Sequence, residues 1–334
     1  MNVAVCFNLV PSLLTRGEAV DRIAEEGAEL EAHAVAAALV KLGHTAPLVP
    51  LGEDLFDFAG QLRRLAPDLV FNLCEGFWGN SRREMHVAAL FELLGLTFTG
   101  APPLSLGLTQ DKVRTKDLLV SHKLPTPRYQ VVRPGEQWPH TCDLVYPLIV
   151  KPQFEDASHG ISDASIVEKE RELLKQIKYV HTTYKQGALV EEFIDGREIN
   201  AALIGKSPWE VLPLSEIRFH PDLARPIVSY EGKWLEKSLG YKSTKPICPT
   251  KLSKHDEIMI QGVAVRACKI LDCRDYARVD IRLRDGIPYI LEINANPDIS
   301  PDAGLARSAK VAGMNYPQLI GRILDLARKR KESV

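Results

Sequence analysis

The chain predicts a mixed fold, a parallel α/β unit followed by α+β units, and three observations lead there. Through the first hundred residues, short apolar strand-like segments alternate with amphipathic helical ones, as in a parallel sheet covered by helices. Gly100-Ala101-Pro102-Pro103 then breaks the alternation. Beyond it, apolar strands bounded by Asp-Gly pairs become common, which is the signature of antiparallel pairing.

In order, Val3–Phe7 reads as a strand and Glu18–Leu42 as a long helix rich in Ala, Glu and Leu, stopped by Gly43. Ala46–Val49 is the next strand, Leu55–Leu65 a helix, Asp68–Leu73 a strand, Arg82–Leu94 a helix ended by Gly95, and Leu96–Thr99 a further strand. Thr109–Ser121 is helical with Asp111 near its start, and Pro125 and Pro127 prevent its extension. Tyr129–Val132, Leu148–Lys151 and Ser165–Val167 read as strands, with a polar loop at Glu155–Ser162 and a helix at Glu168–Val180. Ala188–Phe193 and Arg197–Ile204 flank Asp195-Gly196 and predict a hairpin. Residues 205–250, rich in proline, charge and aromatics, predict irregular structure and a mobile loop. Ser253–Leu271 is a helix with Ser253 as N-cap. Tyr276–Leu283 and Pro288–Ile293 are strands around Asp285-Gly286, and helices near Ala303–Ala312 and Pro317–Lys331 close the chain.

The composition, 45% hydrophobic and 25% charged over 334 residues, is that of an ordinary globular protein. A formal net charge of −1 argues against a general nucleic-acid binder, whose binding surface is strongly basic. Arg328-Lys329-Arg330-Lys331 reads instead as cations at a helix C-terminus. The six cysteines form no C-x-x-C pair and suit neither a zinc site nor a disulfide framework. Free thiols, no membrane span and no secretory leader are therefore expected, which suits a cytoplasmic protein.

The chemistry concentrates in Arg278-Val279-Asp280-Ile281-Arg282 and Leu291-Glu292-Ile293-Asn294. Strand side chains alternate, so Arg278 and Asp280 share one face, as do Glu292 and Asn294. Pairing Asp280 with Glu292 brings all four together, but it needs an odd-length loop or a bulge around Asp285-Gly286-Ile287. The apolar residues at 279, 281, 291 and 293 supply the opposite, buried face. Two carboxylates and a carboxamide oxygen are hard ligands suited to Mg²⁺ or Mn²⁺, and Arg278 beside them can neutralise phosphoryl charge. Lys151 closes an apolar strand and precedes a loop of small residues around Ser158, where backbone N–H groups can approach phosphate. The acidic segment from Glu191 to Glu198 offers acceptors for an adenine amine and ribose hydroxyls. Lys112 and Lys116 lie four apart on one helix face. Taken singly, each of these is also compatible with a solvated charged surface.

Taken together and in this order, DKVRTK, PLIVKP, EEFIDGREINAALIG, SYEGKWL and YARVDIRLRDGIPYILEINANP resemble the ATP-grasp superfamily, and most closely the D-alanine–D-alanine ligases. The resemblance implies an N-terminal pre-ATP-grasp domain at 1–100 and two α+β subdomains, 101–190 and 191–334, that clamp ATP between antiparallel sheets. It implies that Lys112 and Lys151 hold phosphates, with Lys151 also near the adenine. Glu191 and the backbone of Phe193 and Ile194 would meet the adenine, and Glu198 the ribose. Lys233 would reach the terminal phosphates from a mobile loop, near Ser158. Asp280, Glu292 and Asn294 would bind magnesium, with Arg278 facing the reacting phosphoryl group. The implied reaction joins a carboxylate to an amine through an acyl phosphate, and a homodimer is implied as well.

The substrate end departs from that family. The usual Gly-Gly-x-Ser-x-Glu start is replaced by Asn8-Leu9-Val10-Pro11, with Glu18 a distant candidate for the missing glutamate. The His-Gly segment becomes Asn72 to Asn80. Asp298 and Ala303 stand where a glycine and a serine are usual, and Asp156-Ala157 where a Gly-Ser pair is usual. These changes predict a ligase with a rewritten amino-acid pocket, in which Glu75 and Asp298 suit a cationic amine, Arg83 a carboxylate, and Asn80 a further contact. The competing expectations are an authentic D-alanine–D-alanine ligase and an inactive nucleotide-binding module.

Overall fold

A computed structural model describes residues 1–10, 17–18, 22–139, 142–221, 223, 225–235 and 237–331. Strand β1 (Val3–Asn8) is entirely apolar up to Phe7 and forms the middle of a parallel sheet, with β2 (Leu48–Leu51) on one side and β3 (Leu69–Leu73) on the other. Helix α1 (Arg22–Lys41) crosses between β1 and β2, and α2 (Leu55–Leu65) between β2 and β3. The predicted start of the first helix falls partly on 19–21, outside the described residues. Asp54 caps α2 by accepting from the backbone N–H groups of Phe56 and Asp57. Leu96–Thr99 is not a strand. It makes a single parallel bridge, Val70 to Phe98.

Helix α3 (Glu84–Leu93) follows, and then the predicted helix at 109–121 proves to be two: α4 (Pro103–Gln110) and α5 (Lys112–Ser121). Asp111 separates them. It is extended, and its carboxylate caps α5 by accepting from Val113 and Arg114, so a residue read as lying inside a helix is the residue that starts one.

Strands β4 (Tyr129–Val132), β5 (Leu148–Pro152), β6 (Ile166–Val167) and β7 (Ala188–Glu192) form a four-stranded sheet in the order β4-β7-β5-β6, backed by α6 (Glu170–Tyr179). The predicted hairpin at Asp195-Gly196 is not formed. Strand β7 belongs to this sheet, whereas β8 (Arg197–Gly205) belongs to the next. A local turn signal reports only that the chain reverses; which strand lies alongside is decided by tertiary packing.

The second antiparallel sheet runs β11-β10-β8-β12-β13, with β9 (Trp209–Val211) on β8. Strands β10 (Ser215–Phe219) and β11 (Thr244–Ile247) and the short helices α7 (Tyr230–Trp234) and α8 (Leu239–Lys242) occupy the segment expected to be irregular. Their brevity, each five residues or fewer, leaves no periodicity to detect. Helix α9 (Lys254–Ile270), capped by Ser253, covers the rear of β12 (Asp275–Arg284) and β13 (Ile287–Asn294), and α10 (Gly304–Val311) and α11 (Tyr316–Lys331) complete the chain.

The expected Asp280–Glu292 register is present. The irregularity that permits it is not at the turn, where Arg284 pairs directly with Ile287 across Asp285-Gly286. It lies farther along, where Ile281 pairs with Ile290 and Leu291 is the extra residue. The bulge turns Leu291 toward the cavity, a correction to its expected place on the buried face.

A shared core joins the rear of the second sheet (Val279, Ile281, Ile199) and α9 to Ala4, Cys6 and Val70 of the parallel sheet. The four-stranded sheet has its own core around Leu148, Val150 and Val190. Between the two antiparallel sheets the small apolar group Ile149, Ile166 and Ile227 forms a separate contact. Most of that gap is an open cleft lined by both polar and apolar side chains.

Candidate active site in the inter-sheet cleft

The cleft holds a cavity of about 860 Å³, lined by β5, β7, β8, β12 and β13, the loop 155–161, α7 and the segment 75–81. Alternation along β12 buries Val279 and Ile281 and leaves Arg278 and Asp280 on the cavity side. Arg278 grips Asp280 with both ends of its fork, Nε to Oδ1 at 2.8 Å and Nη2 to Oδ2 at 2.9 Å. Asn200 on β8 donates to Oδ1 at 2.7 Å, and Asn294 on β13 donates to Oδ2 at 3.1 Å. Burial alone would lower the Arg278 guanidinium, but Asp280, reinforced by Glu292, raises it.

Lys112, the first residue of α5, reaches across to Glu292 at 2.6 Å, to Asp156 at 2.9 Å and to the Glu155 carbonyl at 2.6 Å. Its burial opposes the charge, yet the two carboxylates outweigh it and raise the ammonium above its ordinary value. Glu191 on β7 holds Lys116 at 2.5 Å and Lys151 at 2.7 Å, and is only 1% exposed. Burial would push its carboxyl up, but the two ammonium groups hold it down at about 2. Lys116 is thus the buried partner of the pair four apart on the helix, and Lys112 the one lining the cavity.

Lys233 on α7 and Ser158 also line the cavity. Burial, with Arg278 nearby, lowers the Lys233 ammonium. Helix α7 is tied onto the 155–161 loop. The Trp234 indole donates to the Ala157 carbonyl at 3.0 Å, the Tyr230 N–H to Ile161 at 2.9 Å, and the His159 ring stacks on Tyr230. Ala157 and Ser158 both adopt left-handed backbone (φ 53° and 63°), a conformation costing about 1–2 kcal/mol for a residue with a Cβ.

Of the other expected residues, Phe193, Ile194, Glu198, Glu75, Asn80 and Asp298 line the same cavity. Arg83 does not. Its guanidinium lies 5.0 Å from the ring of Trp78, which does line the cavity. The Asn80 side chain caps the turn that follows, accepting from the Arg82 N–H at 3.1 Å. Glu18 does not line the cavity either, although Gly17 does, and it accepts from the Tyr179 hydroxyl at 2.9 Å.

Sequence reasoning missed Glu84, Asn296, Arg282 and Glu31. Glu84 lines the cavity and accepts from Asn296 at 3.2 Å; burial, with Asp156 and Glu75 nearby, pushes its carboxyl well up. Glu31 on α1 is buried behind Asp298 and accepts from the Ile299 N–H at 2.7 Å. Its carboxyl is raised by burial, then by Asp298 and Glu75. Only Arg282 carried a usable local signal, two residues after Asp280 on the same strand face.

The donor set fits a hard divalent cation. Among the described residues, no three His, Cys, Asp or Glu side chains are grouped to hold a metal alone. Asp280, Glu292 and Asn294 offer two carboxylates and a carboxamide, the partial oxygen shell that Mg²⁺ completes with phosphate and water.

A family model described as "D-ala D-ala ligase C-terminus" matches residues 118–325, well over half of the chain. The chain belongs to that D-alanine–D-alanine ligase family. This ligase-family chain is 38% identical to an uncharacterised protein of Sinorhizobium fredii, over 90% of its own length and 88% of the relative. It is 32% identical to the D-alanine–D-alanine ligase of Cupriavidus pinatubonensis, covering 78% and 76% of the two chains, and 30% identical to that of Desulforudis audaxviator, covering 89% and 92%. Its fold matches a crystal structure of the Bacillus anthracis D-alanine–D-alanine ligase complexed with ATP over the full length of both chains, at a TM-score of 0.78 and 23% identity. A second structure of that Bacillus enzyme gives 0.80 and 24%. The D-alanine–D-alanine ligase-like chain is accordingly an ATP-grasp enzyme, an ATP-dependent ligase forming C–N bonds. None of its described helices is long and apolar enough to cross a membrane.

Proposed function

We propose that this enzyme joins a carboxylate to an amine, most plainly two amino acids, through an acyl phosphate, with a pocket altered from that of the ordinary dipeptide ligases. The observation that carries the reading is the convergence of Arg278, Asp280, Glu292 and Asn294 with Lys112 and Lys233 on one cleft between two antiparallel sheets. Both reactants are anions, so their encounter needs cations aimed at the phosphates. Lys112, Lys151, Lys233 and Arg278 supply them here. Asp280, Glu292 and Asn294 would hold magnesium, or manganese, which when bound screens the triphosphate as the carboxylate approaches.

The substrate carboxylate attacks the γ-phosphorus of ATP and ADP departs; the amine then attacks the acyl carbon and phosphate departs. Glu198 is the group for ribose hydroxyls. Glu191, whose two oxygens hold Lys116 and Lys151, acts first as the anchor of those cations. The adenine edge falls to Phe193 and Ile194. Because water would hydrolyse the acyl phosphate, the α7 tie onto the 155–161 loop keeps solvent out. Beyond Arg278, Glu75 and Asp298 supply acidic side chains that suit an ammonium group, and Glu84, whose carboxyl burial pushes well up, lines the cavity with them as a hydrogen-bonding group.

An ADP-release screen over pairs of D- and L-amino acids tests this. Turnover with a pair other than two D-alanines is expected. Robust turnover with D-alanine alone would return the chain to the ordinary cell-wall enzymes. Magnesium-ATP binding with no ADP release from any carboxylate and amine pair would instead support an inactive nucleotide-binding module.

A further inference from the structure

We infer that Arg282 is a positioning residue for nucleotide selection, setting the Glu198 carboxylate to receive the ribose and fastening the segment before α7 beside it. The inference rests on the ATP-slot reading above. Arg282 on β12 pairs with Glu198 on β8 in the sheet register, and it is 2% exposed. Its guanidinium makes five contacts, matching its five N–H donors. Nε and Nη2 bond Glu198 Oε2 at 3.0 and 2.6 Å. Nη1 bonds the carbonyls of Gly196 and Ile194 at 3.2 and 3.5 Å, and Nη2 that of Pro226 at 2.5 Å. The rings of Phe193 and Phe219 each lie 5.4 Å away. One cation therefore joins three separate pieces of the site: the carboxylate on β8, the turn that hands the chain from one sheet to the other, and the segment leading to α7. Its two bonds to Glu198 both fall on Oε2, which orients the carboxylate so that Oε1 is the oxygen a ribose hydroxyl would meet. A lysine, with no planar fork, cannot make this set of contacts.

The test compares the affinities of the intact protein for ATP and for 2′,3′-dideoxy-ATP, each with magnesium, by calorimetry. Loss of a hydrogen bond to a charged group corresponds to about tenfold or more in affinity, so the wild type is expected to favour ATP by that ratio. Glu198→Gln, Arg282→Met and Arg282→Lys should each reduce the preference to about threefold or less. The Arg282→Met and Glu198→Gln double variant should lose no more than either single one. A folded Arg282 variant that keeps the wild-type preference while weakening both nucleotides equally would reduce Arg282 to a structural role and overturn the inference. Should neither Arg282 variant fold, an equal affinity of the wild type for both nucleotides, or an unchanged preference in Glu198→Gln, still overturns it. A wild type that binds ATP without ribose preference defeats this inference alone; one that binds no nucleotide defeats the ATP-slot reading with it.

Discussion

At the scale of single residues, the site is a set of carboxylates already neutralised by cations of the same protein: Asp280 by Arg278, Glu292 by Lys112, Glu191 by Lys116 and Lys151. Such pairing lets charged groups stay buried while still facing a cavity. Removing one negative charge while keeping shape tests the proposed metal role directly. Asp280→Asn and Glu292→Gln are expected to fold, to bind nucleotide weakly, and to lose about 100-fold or more in ADP release. Raising the magnesium concentration should recover part of that loss, and steady-state rates across a magnesium series check it. Most of these residues were legible beforehand because strand alternation and the two-strand register are local rules. Glu84 and Glu31 were not legible. Glu31 meets Ile299 across 268 positions and Glu84 meets Asn296 across 212, and no periodicity within a helix reports a partner that distant.

At the scale of elements, two devices shape the cleft. One is the turn 193–196 between β7 and β8, which moves the chain from the four-stranded sheet to the second one. Gly196 packs so closely on β12 that an added Cβ would meet the Leu283 carbonyl oxygen. Gly196→Ala is expected to destabilise the protein by about 2 kcal/mol, read as a lower urea midpoint at unchanged slope. The other device is the tie between α7 and the 155–161 loop. Trp234→Phe removes the bond to Ala157, and ligation should slow about tenfold while ATP hydrolysis without product rises, because water then reaches the acyl phosphate. The ratio of ADP released to amide formed measures this. Single long elements such as Leu55–Leu65 were readable to the residue, since a full amphipathic period fits within them. The elements of 205–250 were not, because three to five residues carry too little pattern.

At the scale of the whole molecule, the Glu191 ion triad ties α5, β5 and β7 together beneath the cavity. The folded carboxyl is held at about 2 against an ordinary value of 4.5. A carboxylate depressed in the folded state contributes stability that is complete above its unfolded pKa and is lost as pH falls through its folded pKa. The window is therefore pH 4.5 down to 2, and stability is lost across it as the carboxylate is protonated. Thermal melts from pH 6 to pH 2 should show a loss across that window that is reduced in Glu191→Gln, which is less stable than the wild type at pH 6 and approaches it toward pH 2.

From the order of its residues alone this protein determined which chemistry it carries: two carboxylates and a carboxamide on facing strand positions, cations ahead of them, and the alternating elements that make the sheets. Those properties depend on alternation over two to four positions and on two strands joined by one short turn, so they are written locally. Only the tertiary structure decided that β7 and β8 part into different sheets, that the bulge falls at Leu291, that Glu191 serves two lysines, and that Arg282 fastens Glu198. Each of these depends on how surfaces far apart in the chain exclude water from one another, and packing of that kind has no period along the sequence.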